Sequence, residues 1–291
     1  MSDYQIVGKK IPRIDGYDKV TGKAKYVADL HLPGMLYAKI LRSPYAHAII
    51  EEIDATEAEK LPGVFSVVTY KDVPEINFPL VGHPYPADDL PWDARILSQH
   101  LRYVGDPVAA VAAETTEIAT HALELISVKY KELPFYITPE ESLKEGACEI
   151  HEGTKNLSGT THYEIGDVDN AFKEAAFIIE DEYKTPIVTH CPIETHVSIV
   201  DIDHNGRLTI YASAQSPVIL RERLAKALGL SQSKIRIVNM TVGGGFGGKQ
   251  EPVYEQLNAI LTMKAKRPVM LELTREEELA TTRTRHSGTF R

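Results

Sequence analysis

Cysteine is nearly missing from this sequence, with only Cys148 and Cys191 present. Two thiols cannot build a disulfide framework, a four-cysteine zinc site or a cysteine-held iron–sulfur cluster. A surplus of basic charge is missing as well: 32 Lys and Arg face 41 Asp and Glu, a formal net charge of −9. That balance argues against broad nucleic-acid binding, which needs a basic face to neutralise phosphates. No apolar run approaches the roughly 18 residues of a membrane-spanning helix, and the opening Met1-Ser-Asp-Tyr-Gln-Ile-Val-Gly is too polar for a secretory signal. The expectation is a cytoplasmic protein whose partners include neither nucleic acid nor membrane. Internal repeats, low-complexity tracts and a flavin fingerprint are also missing.

What is present is the composition of a folded protein, 43% hydrophobic and 25% charged over 291 residues. At roughly 150 residues per domain, that length suggests two cores. The pattern predicts an α+β chain divided into a first domain over 1–135, a linker over 136–155 and a second domain over 156–291. In the first, strands over 35–41, 64–69 and 107–113 alternate with short helices. Residues 115–126 place Ile118, Ala122, Leu125 and Ile126 at helical spacing. Turns fall at Leu32-Pro-Gly34, Leu61-Pro-Gly63 and Leu133-Pro134, and the Pro- and Asp-rich stretch 78–92 reads as an ordered surface excursion.

The second domain repeats a strand, helix, strand rhythm. A strand over 207–214 leads to Ser216-Pro217, where the serine can cap the helix and proline suits its first position. Leu220, Leu224 and Leu228 share one face, and Gly229 ends the helix. A strand over 234–242, a glycine loop, a helix over 252–264 and a strand over 268–274 follow. The chain then stops where another strand would begin, so the second domain is expected to be completed by further polypeptide.

The strongest chemical signal is Gly243-Gly-Gly-Phe-Gly-Gly-Lys249. Five glycines expose backbone amides and permit close approach of a ligand, and with the helix that follows the loop could cradle an anion. Gly243, Gly245 and Gly248 formally satisfy G-x-G-x-x-G, with the acid Glu272 some twenty residues on, as in a dinucleotide-binding turn. The loop nearly satisfies the P-loop template too, but Gln250 stands where a Ser or Thr would hold magnesium. Gln215, at the end of the preceding strand, can aim an amide donor at whatever the loop holds. His190-Cys191-Pro-Ile-Glu194-Thr-His196 matches no familiar zinc spacing and reads as structural. Cys148 reads as inert, Arg275-Glu-Glu-Glu278 as a solvated face, and His286 between Arg283 and Arg285 as surface that could meet a phosphate.

Taken together, these residues resemble the molybdenum-binding subunit of the xanthine dehydrogenase/oxidase family. Asp15-Gly-Tyr-Asp-Lys-Val-Thr-Gly-Lys-Ala-Lys-Tyr-Val-Ala-Asp29, Pro33-Gly-Met-Leu-Tyr-Ala38 and Arg42-Ser-Pro-Tyr-Ala-His47 are similar to the opening of these subunits. Leu61-Pro-Gly-Val64, Val104-Gly-Asp-Pro-Val108 and Val128-Lys-Tyr-Lys-Glu-Leu-Pro134 resemble the family's first domain. Ala214-Gln-Ser-Pro217, the glycine loop, Thr274-Arg-Glu-Glu277 and Arg283-Thr-Arg-His286 resemble the start of its cofactor domain.

The resemblance implies an N-terminal α/β hammerhead followed by the beginning of a mixed α/β domain for a molybdenum-carrying pyranopterin, its cytosine dinucleotide form left open. It implies that Gln215 hydrogen-bonds an oxygen ligand of molybdenum, that Phe246 meets the metal's ligand sphere through its backbone, and that Gly244, Gly245 and Gly247 shape the approach. The implied reaction is hydroxylation of an electron-poor carbon in a purine or other N-heterocycle with oxygen from water, xanthine to urate being the pattern. Electrons would leave through [2Fe-2S] clusters to FAD on partner subunits. The family's catalytic glutamate lies near its C-terminal end and has no counterpart here, so the chain alone is expected to be inactive. Gln250 falls where several purine-oxidising members carry a substrate-facing glutamate. Nicotinate dehydrogenase and aldehyde oxidoreductase are the alternatives within the family. An NAD-binding dehydrogenase using the loop over 243–248, or a non-catalytic docking fragment, stands outside it.

Overall fold

The computed structural model describes residues 4–80 and 91–291. The first region contributes strands β1 (Leu36–Arg42), β2 (Ala48–Asp54), β3 (Val64–Thr69), β4 (His100–Leu101), β5 (Pro107–Ala113) and β6 (Ser127–Glu132). The rest contributes β7 (Tyr183–Thr185), β8 (Val188–Thr189), β9 (Val197–Ile202), β10 (Leu208–Ala212), β11 (Ile235–Asn239), β12 (Val269–Glu272), β13 (Thr284–Arg285) and β14 (Gly288–Phe290). Helices α1 (Gly16–Val20), α2 (Thr56–Lys60) and α3 (Thr116–Glu124) belong to the first region, and α4 (Pro139–Ser142) and α5 (Val168–Glu174) to the middle. Helices α6 (Pro217–Leu228), α7 (Glu255–Ala265) and α8 (Arg275–Thr281) complete the set. The chain is thus α+β, as the pattern predicts.

A seven-stranded sheet in the order β11-β10-β9-β12-β1-β5-β3 runs across both halves of the sequence. Strand β10 pairs in parallel with β11, β12 in parallel with β1, and β9 is antiparallel to both β10 and β12. Strand β5 shows why the halves share a core. Its residues are all buried. Val108, Ala109, Val111 and Ala113 pack in one cluster with Ile50, Ile53 and α3. Ala110 and Ala112 belong to a second cluster, with Val200, Leu208, Ile210, Leu224 and Leu257 from β9, β10, α6 and α7. A strand covered on both faces reads as a continuous apolar run rather than an alternating one, and in β5 that run is built from alanine and valine. Strands β4, β2 and β6 form a separate three-stranded sheet.

Helix α6 carries Leu220, Leu224 and Leu228 into the core and ends at Gly229, whose φ of 65° is the left-handed conformation of a helix stop. Ser216 stands at its N-cap without a side-chain capping bond, so the proline at the first position rather than the serine sets this start. Helix α7 begins later than the expected 252 because the Glu255 carboxylate turns back onto the amides of Val253 and Tyr254, at 2.8 and 3.2 Å. Strand β12 stops before Thr274, which caps α8 in a reciprocal box with Glu277.

Two surface expectations need correction. The stretch 78–92 lies partly outside the described residues, but its first residue is core: Phe78 is fully buried and paired with Ala94. The residues 275–278 are not a solvated face, since Glu278 is buried against His196 and Glu277 pairs with Arg42 at 2.8 Å. By contrast, every residue from 157 to 188 is exposed, an arm that includes α5. It is tied back by antiparallel pairs, β7 with β14 and β8 with β13.

Candidate functional site

Strands β10 and β11 lie side by side and parallel, so the connections leaving their C-terminal ends emerge at one edge of the molecule. The first carries Gln215 and the second carries the glycine loop. Gln215 N–H donates to Lys249 O at 2.8 Å, and Gln215 Oε1 accepts from Gly247 N and Lys249 N at 3.0 and 3.1 Å. Two backbone donors on one oxygen fix the amide's orientation, which leaves the Nε2–H group of this exposed side chain turned away from the loop backbone.

The glycines have separate reasons. A Cβ on Gly245 would stand 2.5 Å from Gln215 Oε1, so any side chain there would evict the glutamine. Gly244 and Gly247 adopt φ of 107° and 98°, conformations that suit only glycine. Phe246 between them holds φ at 51° and is 73% exposed. A non-glycine residue in the left-handed region costs about 1–2 kcal/mol, and Phe246 takes that conformation at the surface of the loop. Gln250 follows, half-buried. The structure therefore brings Gln215, Gly244, Gly245, Phe246 and Gly247 together, with Gln250 at the loop's end.

Beneath the loop lies a floor that sequence reasoning missed. Lys249 is 2% exposed; its Nζ donates to Glu194 Oε2 and to Ser213 Oγ, both at 2.9 Å, and to Glu194 O at 2.9 Å. Glu194 Oε2 also accepts from Ser213 Oγ and, at 2.8 Å, from Gly243 N. His196 bonds both oxygens of Glu278 at 2.9 Å through Nδ1 and meets Gly248 O at 3.0 Å through Nε2. Burial works against ionisation of Glu278, yet the bonds from His196 hold its carboxyl below the usual glutamate range. Glu251 is buried and paired with Arg283. No local signal marks these residues, because Glu194 is 55 positions from Lys249 and His196 is 82 from Glu278.

These bonds overturn two of the anion readings. Lys249 cannot reach a phosphate while it is buried beneath the loop in an ion pair, so the P-loop reading fails. The dinucleotide reading fails on topology. Strands β10 and β9 separate β11 from β12, and α7 starts six residues after Lys249 with amides before it already bonded by Glu255. Glu272 lies exposed at the end of β12. The segment 190–196 has a structural part: His190 Nδ1 donates to Arg283 O at 3.1 Å, and Arg275 holds Pro192 O and Ile193 O, both at 2.6 Å. Cys148 is half-buried, and its thiol lies 3.9 Å from Glu149 O. No helix among the described residues is long and apolar enough to cross a membrane.

The site offers an outward amide donor, an exposed loop backbone and a surface cleared of Cβ atoms. That set suits a flat, oxygen-rich cofactor approached at close range, and no charged side chain of the loop is left to clash with it.

Comparison with known proteins agrees with this geometry. The family model described as "Molybdopterin cofactor-binding domain" matches residues 150–291. That described as "Aldehyde oxidase and xanthine dehydrogenase, a/b hammerhead domain" matches residues 21–134. The xanthine dehydrogenase molybdenum-binding subunit of Escherichia coli O157:H7 is 39% identical over 96% of this chain, which spans 37% of that relative's length. The nicotinate dehydrogenase large molybdopterin subunit of Eubacterium barkeri is 37% identical over 99% of the chain and is spanned to 66%. Among solved structures, the aldehyde oxidoreductase of Desulfovibrio gigas superposes with a TM-score of 0.84 at 29% identity, covering 96% of this chain and 32% of that one. The chain belongs to the aldehyde oxidase and xanthine dehydrogenase family, as a hammerhead region followed by a molybdopterin cofactor-binding region.

Proposed function

We propose that the chain is the N-terminal portion of the molybdenum-binding subunit of a cytoplasmic molybdenum hydroxylase acting on a purine or another N-heterocycle in the xanthine-to-urate manner. Its hammerhead would span 1–135 and its cofactor region 156–291, joined by 136–155. The cofactor, when bound, supplies the redox chemistry that places oxygen from water on an electron-poor carbon. Gln215 donates Nε2–H toward an oxygen at the metal, and Gly244, Gly245 and Gly247 keep side-chain atoms out of the approach. Phe246 offers its backbone, and Gln250 faces the substrate with hydrogen bonds but no charge. The observation that carries this reading is the double clamp on Gln215 Oε1, which commits that oxygen to the loop backbone and leaves the Nε2–H group to donate to a ligand. A C-terminal remainder of the subunit would add the catalytic base, and [2Fe-2S] and FAD-binding subunits would take the electrons.

Nicotinate oxidation is the second reading, favoured by one observation: the nicotinate dehydrogenase subunit is 37% identical over 99% of the chain, nearly the 39% over 96% of the xanthine dehydrogenase subunit. The test is molybdenum and iron per mole, by elemental mass spectrometry, in the assembly purified from its host, followed by turnover of xanthine and of nicotinate. Molybdenum near one per assembly with iron is expected. Its absence from an intact assembly would leave the docking-fragment reading. Gln215→Ala should keep molybdenum and lower turnover by roughly 10²-fold, the scale of one lost oxyanion donor; unchanged turnover removes Gln215 from the metal's surroundings.

A further inference from the structure

The glycine loop has no side-chain anchor of its own. Between Gly243 and Gly248 the one side chain is that of Phe246, and it is exposed. The loop is instead bracketed at its two ends, each time by a residue that bonds the backbone reciprocally. At the start, Glu194 N–H donates to Gly243 O at 3.1 Å, and Glu194 Oε2 accepts from Gly243 N at 2.8 Å. At the end, Gln215 N–H donates to Lys249 O at 2.8 Å, and Gln215 Oε1 accepts from Lys249 N at 3.1 Å.

The two brackets differ in their surroundings. The Glu194 side chain is 13% exposed, whereas Gln215 is an exposed residue whose Oε1 stands in competition with water. One buried side chain joins them. Lys249 Nζ donates at 2.9 Å to Glu194 Oε2, the same oxygen that receives Gly243 N. It also donates at 2.9 Å to Ser213 Oγ, two residues before Gln215. Its remaining contacts are the carbonyls of Glu194 and Thr195, at 2.9 and 3.3 Å. Three N–H donors shared among four acceptors hold the ammonium in one place, and with it the Lys249 backbone that clamps Gln215.

We infer that Lys249 is a positioning residue: its ammonium ties the exposed Gln215 bracket to the buried Glu194 bracket and so fixes the direction in which Gln215 donates. This rests on the proposed function only for what Gln215 donates to. The physical reason is preorganisation. A clamped amide meets its acceptor without rearranging, whereas a loose one must be ordered each time, and donors set in advance act most strongly on developing charge. A methionine at 249 would fill similar space but would leave Glu194 Oε2 and Ser213 Oγ without the cation that gathers them.

Lys249→Met, Gln215→Ala and the double variant, each in the assembly purified from its host, test the assignment. Hydrogen exchange over the peptide 243–250, read by mass spectrometry, should be at least about tenfold faster in both single variants, because the amides at 247 and 249 lose the same acceptor. Turnover should fall roughly tenfold in Lys249→Met with KM unchanged. The double variant should be no slower than Gln215→Ala, since the lysine acts through the glutamine. Unchanged loop exchange in Lys249→Met, or losses that multiply in the double variant, overturns the proposal and leaves the lysine a role in the fold alone. Should Lys249→Met fail to assemble, Ser213→Ala removes one acceptor of the ammonium and keeps the ion pair. It should speed the same exchange by about fivefold, the scale of one ordinary hydrogen bond, and unchanged exchange overturns the proposal equally. Molybdenum content separates the two readings. Faster loop exchange in variants of an assembly without molybdenum keeps this inference and removes the cofactor reading; molybdenum near one per assembly with unresponsive exchange does the reverse.

Discussion

Two buried histidine clusters in this molecule solve the same problem in opposite ways. Under the glycine loop, His196 faces acceptors at both ring nitrogens, the Glu278 carboxylate and Gly248 O. A carboxylate thus stands on one side of the ring and a backbone carbonyl on the other, beside the ion pair of Lys249 with Glu194. At the junction of the first region with the chain that follows, His47 Nδ1 donates to Pro134 O at 2.6 Å and His47 Nε2 accepts from His100 Nε2 at 2.6 Å. Arg102 in turn donates to His100 Nδ1 at 3.3 Å. Each ring here donates once and accepts once. Burial and the neighbouring Arg102 push the His100 pKa down to about 4. The lesson is that surroundings decide what an imidazole does: His196 ties a helix carboxylate to the loop backbone, whereas at His100 burial and an arginine disfavour the cation.

The largest effect should come from breaking the charged floor. Lys249→Ala strands Glu194, whose second oxygen already lacks a partner, and should cost about 3–5 kcal/mol in chemical denaturation, as loss of one member of a buried pair does. A cost below about 1 kcal/mol would mean that water replaces the ammonium and that the floor is not a buried ionic unit. Glu278→Gln is expected to be milder, about 1–3 kcal/mol, because one acceptor oxygen survives while the amide that replaces the other turns a donor toward the buried His196 contacts. Gly247→Ala imposes a side chain on a φ of 98°. It should cost about 1 kcal/mol and lower molybdenum occupancy of the assembly, read by elemental analysis.

The neutral cluster gives the smallest effect near neutrality and a distinct pH signature. His100→Gln should cost about 1 kcal/mol at pH 7, one ordinary hydrogen bond. Because the folded pKa of His100 lies below its unfolded value, its contribution is present above about pH 6.5 and is lost as pH falls toward 4. Melting temperature against pH should therefore fall less steeply across that window in the variant than in the parent protein. Asp106 acts with the opposite sign, its pKa raised by burial to about 6, so it favours the folded state as pH falls through that value. The difference between variant and parent isolates His100 from this. Glu278, with its lowered pKa, contributes stability above the ordinary glutamate range and loses it only at lower pH. Identical pH profiles for His100→Gln and the parent would remove the neutral pair from the comparison.

Much of the chain was legible locally. The strands over 64–69 and 107–113 fall where their apolar runs place them. Leu220, Leu224, Leu228 and Gly229 mark helix α6 and its end, because periodicity and a left-handed stop act within a few residues. The run of glycines announced a close approach for the same reason. Its meaning was not legible. A lysine closing a glycine loop suggests an anion, and only the parallel pairing of β10 with β11 turns that lysine inward onto Glu194 and Ser213 while setting Gln215 against Gly245. Residues 190–196 looked like a compact cluster, yet Glu194 and His196 serve the loop through partners far along the chain.

Composition and spacing determined which segments form helices and strands, the glycine loop, and the family the motifs resemble, because each depends on the backbone and on nearest neighbours. Tertiary structure decided the seven-stranded sheet shared by both halves, the direction of Lys249, the two histidine clusters and the exposed arm. Those depend on strand order and burial, which bring distant residues into one low-dielectric environment and so settle which charges survive there.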